Sequence, residues 1–261
     1  MIHPPNPNTH PDWLAPHSLA WYTQLGEMTG EYVYPWRSTI TEPNGESLFM
    51  EEITRMVPNQ SVLDIGCGHG AFTLHWSPSA KEIVGLDVTE KFVKKARTQT
   101  PENVSFVITN TKNTLPFPDD TFDFAYNRKG PTSAYPDITR VVKKGGAFIG
   151  LHPGDQLSAE LFEWFPHLFG SPPAGSPILQ NLQERIKQAD FYHVDIQTVV
   201  ATEYFQTPLD VIRMRCFGQS PTILTSTIEQ HMESIMPIFD HHATADGLPT
   251  THMFYLVRAI V

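Results

Sequence analysis

The run Val62-Leu-Asp-Ile-Gly-Cys-Gly-His-Gly70 sets an aspartate and three glycines at the end of a short apolar stretch. Glycines at this spacing let a backbone turn tightly and come close to a ligand, and a helix starting directly afterwards offers unpaired N–H groups to it. Such a loop suits a nucleotide-like group. Two ligand classes fit the glycines alone, because Gly66-x-Gly68-x-x-Ala71 also satisfies the dinucleotide pattern in its alanine-ended form. Asp64 separates them: a carboxylate two residues before the first glycine repels a pyrophosphate and attracts an ammonium or a sulfonium. Asp87 lies nineteen residues beyond Gly68, where a carboxylate can accept from both hydroxyls of a ribose.

The surrounding pattern alternates in the way needed to position these residues. Residues 61–65, 82–86 and 104–108 read as short buried strands, with a helix from Gly70 and a capped helix over 89–98 between them. Residues 122–126 and 146–151 read as two more strands, the second preceded by the turn signal Lys143-Lys-Gly-Gly146. Upstream, a Pro/His/Asn-rich start to about Pro16 reads as an extended arm. A short helix capped by Ser18 follows, and then an amphipathic helix over 46–57 with Leu48, Phe49, Ile53, Met56 and Val57 on one face. Downstream, Pro166, Pro172, Pro173 and Pro177 break up short helices before a longer one over 178–189. Residues 191–200 and 251–261 read as the last strand pair. The insertion between them reads as helical, with Leu224, Ile228, Met232, Ile235 and Phe239 facing inward.

With Asp64, Asp87 and the run Leu115-Pro-Phe-Pro-Asp-Asp-Thr-Phe-Asp123 in order, residues 61–151 resemble the class I S-adenosylmethionine-dependent methyltransferases, in the branch carrying Leu-Pro-Phe-Pro-Asp before the fourth strand. The resemblance implies a Rossmann-like, doubly wound α/β fold: a mainly parallel seven-stranded sheet with an antiparallel last strand and a helical cover. It implies three regions: an arm with helices over 1–57 contributing to a lid, a cofactor-binding core over 58–151, and over 152–261 the rest of the sheet with cover insertions at about 152–180 and 201–250. S-adenosyl-L-methionine is the implied cofactor and S-adenosyl-L-homocysteine its product. Gly66, Cys67 and Gly68 would lie beside the methionine portion, Asp64 would attract its cationic ends, Asp87 would hold the ribose, and Val88 would lie against the adenine. Asn127 would stand near the methionine end. The chain departs from the branch at Asn110-Thr-Lys-Asn113, where the family has Gly-Asp-Ala-Glu. Thr111 and Lys112 then stand at the adenine end, a neutral hydroxyl replacing a charged acceptor.

Methyl transfer is an in-line displacement at a sulfonium, so a protein mainly aligns the nucleophile and removes its water. Acceptor-side candidates are His152 after the fifth core strand, as a general base, and Arg128 after the fourth, as an anchor for an anion. Tyr34, Trp36 and Arg37 form a third group, in an aromatic segment ahead of the core.

Composition narrows the partners. At 261 residues the chain can bury a full α/β core, and a formal charge of −10 disfavours a nucleic-acid partner. The expected acceptor is a small molecule. An rRNA or tRNA methyltransferase and a silent donor-binding subunit remain the alternatives, because both share every core motif. The twelve histidines carry no usual zinc spacing, so no metal is expected. Two distant cysteines, no signal-peptide pattern and no long apolar run point to a cytoplasmic protein without a membrane segment.

Overall fold

The computed structural model describes residues 4–172 and 174–261, so Pro173 lies outside the described residues. The strands are β1 (Ser38–Ile40), β2 (Ser61–Ile65), β3 (Glu82–Asp87), β4 (Val104–Ile108), β5 (Phe122–Arg128), β6 (Val142–Pro153), β7 (His193–Phe205) and β8 (Leu248–Ile260). The helices are α1 (Leu19–Thr29), α2 (Gly45–Met56), α3 (Ala71–Trp76), α4 (Glu90–Ala96), α5 (Tyr135–Val141), α6 (Glu160–Trp164), α7 (Pro166–Phe169), α8 (Pro177–Ala189), α9 (Pro208–Arg215) and α10 (Pro221–His242). Among the described residues the sheet has eight strands, not the expected seven, in the order β1-β7-β8-β6-β5-β2-β3-β4. The extra strand is β1, whose three residues pair antiparallel with the end of β7 from Ser38↔Phe205 to Ile40↔Glu203.

Two compact units share this chain. The first comprises residues 45–154, 176–199 and 254–261. Its centre is five parallel strands, β4-β3-β2-β5-β6, flanked by β8 running antiparallel to β6 from Ala147↔Ile260 to Pro153↔Phe254. All five residues of β2 are buried, and its Val62, Leu63 and Ile65 are apolar, with Ser61 and Asp64 the polar exceptions. The chain adds β3 and β4 on one side of β2 and then returns to place β5 on the other. Strand order therefore reverses between β2 and β5, and in open α/β sheets ligands bind at the carboxyl ends flanking such a reversal. Lys143 to Gly146, read as a turn, falls inside β6, where the register shifts opposite Phe122 and Phe124.

The Leu115-Pro-Phe-Pro-Asp run is a clasp in this unit. The Arg140 fork donates to Asp137 at 2.7 and 2.9 Å and to the carbonyls of Leu115 and Phe117 at 2.9 and 2.7 Å. The Leu115 N–H donates in turn to Asp137 at 2.6 Å. A planar guanidinium is suited to this because its donors are fixed in one fork.

The second unit comprises the described residues up to Asn44, with 155–175 and 200–253. Its core gathers Phe165, Leu168, Phe205, Ile212, Ile235 and Phe239 among others. Ser18 caps α1 as expected, its Oγ accepting from Trp21 N at 3.2 Å. The N-terminal segment is tied down instead of extending freely. A 3₁₀ turn spans Pro7–Thr9, His231 Nε2 bonds to Pro5 O at 3.1 Å, and the Gln219 amide exchanges bonds of 3.1 and 2.7 Å with the Leu14 backbone. The buried face of α10 is Ile223, Thr227, His231, Ile235 and Phe239, one step round from the expected face, because the polar Thr227 and His231 bond to backbone carbonyls and go inside. β7 and β8 are longer than the stretches expected for them, each running thirteen residues. No helix among the described residues is long and apolar enough to cross a membrane.

Candidate functional site

Two loops meet at the reversal of strand order in the first unit. The loop after β2 takes positive φ at Gly66, Gly68 and Gly70 (78°, 55° and 80°), which strongly favours glycine. Gly66 N and Cys67 N both donate to Leu86 O, at 2.8 and 2.9 Å, fixing the loop to the end of β3. The loop after β5 is folded by one side chain: Asn127 Nδ2 donates to Pro131 O at 2.9 Å, and its Oδ1 accepts from Gly130 N at 2.7 Å. The two loops touch. A Cβ on Gly66 would come within 2.9 Å of Pro131 Cδ and 3.0 Å of Gly130 Cα. The first glycine is thus demanded by the protein's own packing, not only by a ligand.

Asp87 closes β3 with both carboxylate oxygens engaged, one accepting from Gly68 N at 2.9 Å and the other from Thr89 N at 2.8 Å. Burial raises its pKa, and these backbone donors pull it partly back. Gly66, Gly68, Asp87 and Val88 nonetheless stay partly exposed, so this edge is open to a ligand. This edge fits an adenosyl group through an acidic acceptor at Asp87 and an apolar neighbour at Val88, beside a glycine loop whose Gly66, Cys67 and Gly68 N–H groups are already bonded within the protein. Cys67 is buried with its Sγ 3.7 Å from Gly68 O, and burial holds its thiol well above the usual range, so it is not a reactive sulfur.

Asp64 lies beneath this edge. It is 2% exposed, and its Oδ2 accepts from Thr73 Oγ1 at 2.6 Å and from the Tyr126 hydroxyl at 2.9 Å. Desolvation pushes its pKa up to about 6 against the bonds from Thr73 and Tyr126. Thr111 hydrogen-bonds to Ser133 at 2.7 Å. Together with Lys112 these residues line a cavity of about 410 Å³, whose wall also includes Pro136, Asp137 and Arg185.

The candidates for the acceptor side fall in both units. Arg128 lies over the Phe72 ring at 4.7 Å and donates to Glu46 Oε2 at 2.8 Å, while Lys129 pairs with the other oxygen of Glu46. Burial alone would raise Glu46, but Lys129 and Arg128 outweigh it and hold the carboxyl below its ordinary value. Sequence reasoning did not single out Glu46, because its partners lie more than eighty residues away. His152 is buried, and its Nε2 shares a bond of 2.5 Å with the Tyr135 hydroxyl. Desolvation lowers its pKa to about 4, so the ring is neutral at physiological pH. Tyr34, Trp36 and Arg37 belong to the second unit. There Tyr34 stacks on Trp36 at 4.4 Å, and Arg37 Nε lies 3.9 Å from Asp210.

Residues 63–150, a span that takes in both strand-end loops, match a family described as methyltransferase domain. The chain is 28% identical over 183 residues to "Uncharacterized methyltransferase sll0829" of Synechocystis sp., covering 62% of this chain and 85% of that protein. It is 25% identical over 188 residues to "Demethylmenaquinone methyltransferase" of Symbiobacterium thermophilum, covering 56% and 74% respectively. In fold it is similar to a crystal structure of a functionally unknown protein from Deinococcus radiodurans R1, with a TM-score of 0.61 and 22% identity over 92% of this chain and 98% of the other. The domain match over residues 63–150 and the relatives named as methyltransferases support an S-adenosylmethionine-dependent methyltransferase.

Proposed function

We propose that the enzyme methylates a small-molecule acceptor, holding its donor at the reversal between β2 and β5. The observation that carries the reading is the partly exposed Asp87 at the end of β3, joined to the glycine loop through Gly68 N. When bound, S-adenosylmethionine supplies a methyl group on a sulfonium, already activated for displacement. In this reading Asp87 accepts from the ribose hydroxyls, Val88 packs on the adenine, and Thr111 and Lys112 border its far edge. Gly66, Cys67 and Gly68 present backbone to the methionine portion, and Asn127 keeps the facing loop in shape. Asp64 acts from below, its negative charge favouring a cationic donor over a pyrophosphate.

On the acceptor side, Arg128 is the proposed contact within the unit that holds the donor. His152, neutral and hydrogen-bonded to Tyr135, takes the role of a proton acceptor only if the acceptor reaches it. Support for a small acceptor comes from the acidic charge balance, which opposes a polyanion, and from the quinone-type acceptor in the name of the Symbiobacterium relative.

The test is calorimetric titration with S-adenosylhomocysteine, with expected binding in the wild type and at least about tenfold weaker binding in Asp87→Ala. Turnover of labelled donor against a panel of small-molecule acceptors completes it. Binding of NADH with no response to S-adenosylhomocysteine would overturn the reading.

A further inference from the structure

The segments that follow β4 and β5 are joined by two hydroxyls. Thr111 Oγ1 lies 2.7 Å from Ser133 Oγ, and either can donate to the other. Thr111 follows β4, and Ser133 sits in the 3₁₀ turn Thr132–Ala134 ahead of α5. Both line the cavity of about 410 Å³, and all of its lining residues belong to the unit that carries Asp87. β4 runs parallel beside β3, with Ile108 opposite Asp87 and Thr109 N donating to Asp87 O at 3.0 Å. The segment after β4 is therefore the next stretch of chain beyond a ribose held by Asp87. The base of that nucleoside meets the Thr111 side of the cavity.

This wall supplies donors freely and fixed acceptors sparingly. Lys112 and Arg185 on it are donor-only cations. The Asp137 carboxylate is already spent, its oxygens accepting from Leu115 N at 2.6 Å and from Arg140 at 2.7 and 2.9 Å. The hydroxyl pair is different in kind. Its two oxygens carry two protons, of which one is used between them. The other can be donated outward, and lone pairs on both oxygens can accept. Thr111 is only 8% exposed, so a polar ring edge brought against it loses water and needs a partner there.

A 6-aminopurine turns an amino donor towards such a wall, and a 6-oxopurine turns a carbonyl acceptor. A carboxylate can only accept, so it would pair with the first and repel the second. The Thr111–Ser133 pair answers both. It accepts from the amino group, or it gives its spare proton to the carbonyl.

We propose that the Thr111–Ser133 pair gives the donor site a relaxed purine specificity, admitting a 6-oxopurine nucleoside thioether as well as its 6-amino counterpart. The inference rests on the donor reading given above and concerns which base that site accepts. Its test is calorimetry on the full chain with S-adenosylhomocysteine and S-inosylhomocysteine, which differ only at position 6 and the adjoining ring proton. The two dissociation constants should agree within about fivefold in the wild type. Thr111→Val, which keeps the shape and removes the hydroxyl, should weaken both ligands alike, by about three- to tenfold. Thr111→Asp should open a gap of at least about tenfold in favour of S-adenosylhomocysteine. A wild-type gap above about fivefold, or Thr111→Val with both constants unchanged, would overturn the inference and leave the donor reading standing. So would Thr111→Asp that still binds S-adenosylhomocysteine and shows no gap. Failure of S-adenosylhomocysteine to bind the wild type would overturn the donor reading and the inference with it.

Discussion

Thr73 donates its hydroxyl to Asp64 across 2.6 Å, and Tyr126 donates to the same oxygen, so the carboxylate below the glycine loop is held entirely inside the protein. Such a group is costly to ionise. With its pKa pushed from 3.8 to about 6, the folded protein keeps a proton that the unfolded chain has already lost. Its contribution is present below the ordinary carboxylate pKa and is lost as pH rises through about 6.

Asp64→Asn removes that penalty while leaving an oxygen to accept from Thr73 and Tyr126. Urea unfolding of the ligand-free protein should show the variant more stable than the wild type at pH 8 by about 2–3 kcal/mol, with the gap closing towards pH 4. A gap independent of pH would contradict the assignment.

His152 works in the opposite direction. Its folded pKa of about 4 lies below the ordinary 6.5, so its contribution is complete above pH 6.5 and is lost as pH falls towards 4. His152→Leu should flatten the acid limb of the stability profile in that window. Tyr135→Phe should cost about 1–3 kcal/mol by leaving Nε2 buried without its partner.

Arg140→Lys tests the clasp on residues 115–119. A lysine keeps the charge but cannot reach two carbonyls and a carboxylate together, so thermal unfolding should report a loss of about 2 kcal/mol. A midpoint equal to that of the wild type would show that the fork is dispensable.

Glu46→Gln leaves Arg128 and Lys129 facing an uncharged amide. The expected loss is about 1–3 kcal/mol at neutral pH. Because Glu46 is held below its ordinary pKa of 4.5, the wild type should surrender the same advantage on acidification below that value. Variant and wild type should therefore converge in acid; a difference that persists there would point to packing and not charge.

Gly218→Ala combines a left-handed backbone with a clash against Trp21, and should destabilise by about 2–4 kcal/mol in chemical denaturation.

β2 to β5 were legible because each is short and mostly apolar, and Asp87 because it ends one of them; of the twelve-residue β6 only the apolar part after Gly146 was legible. Less could be seen where structure depends on distant partners. β1 has three residues, Ser38–Ile40, too few to show alternation, and it exists as a strand only through β7. The inward face of α10 was displaced because Thr227 and His231 look polar in sequence yet find carbonyls inside. Asp64 could be recognised by its position, but the donors that take it, Thr73 and Tyr126, come from α3 and β5 and carry no local signal. Glu46 is invisible for the same reason: an acidic residue in a first helical turn needs no special explanation until Arg128 and Lys129 arrive beside it.

Gly66 and Gly130 oppose each other across the two strand-end loops, with an added Cβ on one meeting the Cα of the other at 3.0 and 3.3 Å. They occupy one small shared volume, and neither can gain a methyl group while the other keeps its place. A relative that has a side chain where this chain has Gly66 should also show a displaced or reshaped segment corresponding to Asn127 through Pro131, and that joint change would be visible as a pair in any sufficiently deep set of related sequences.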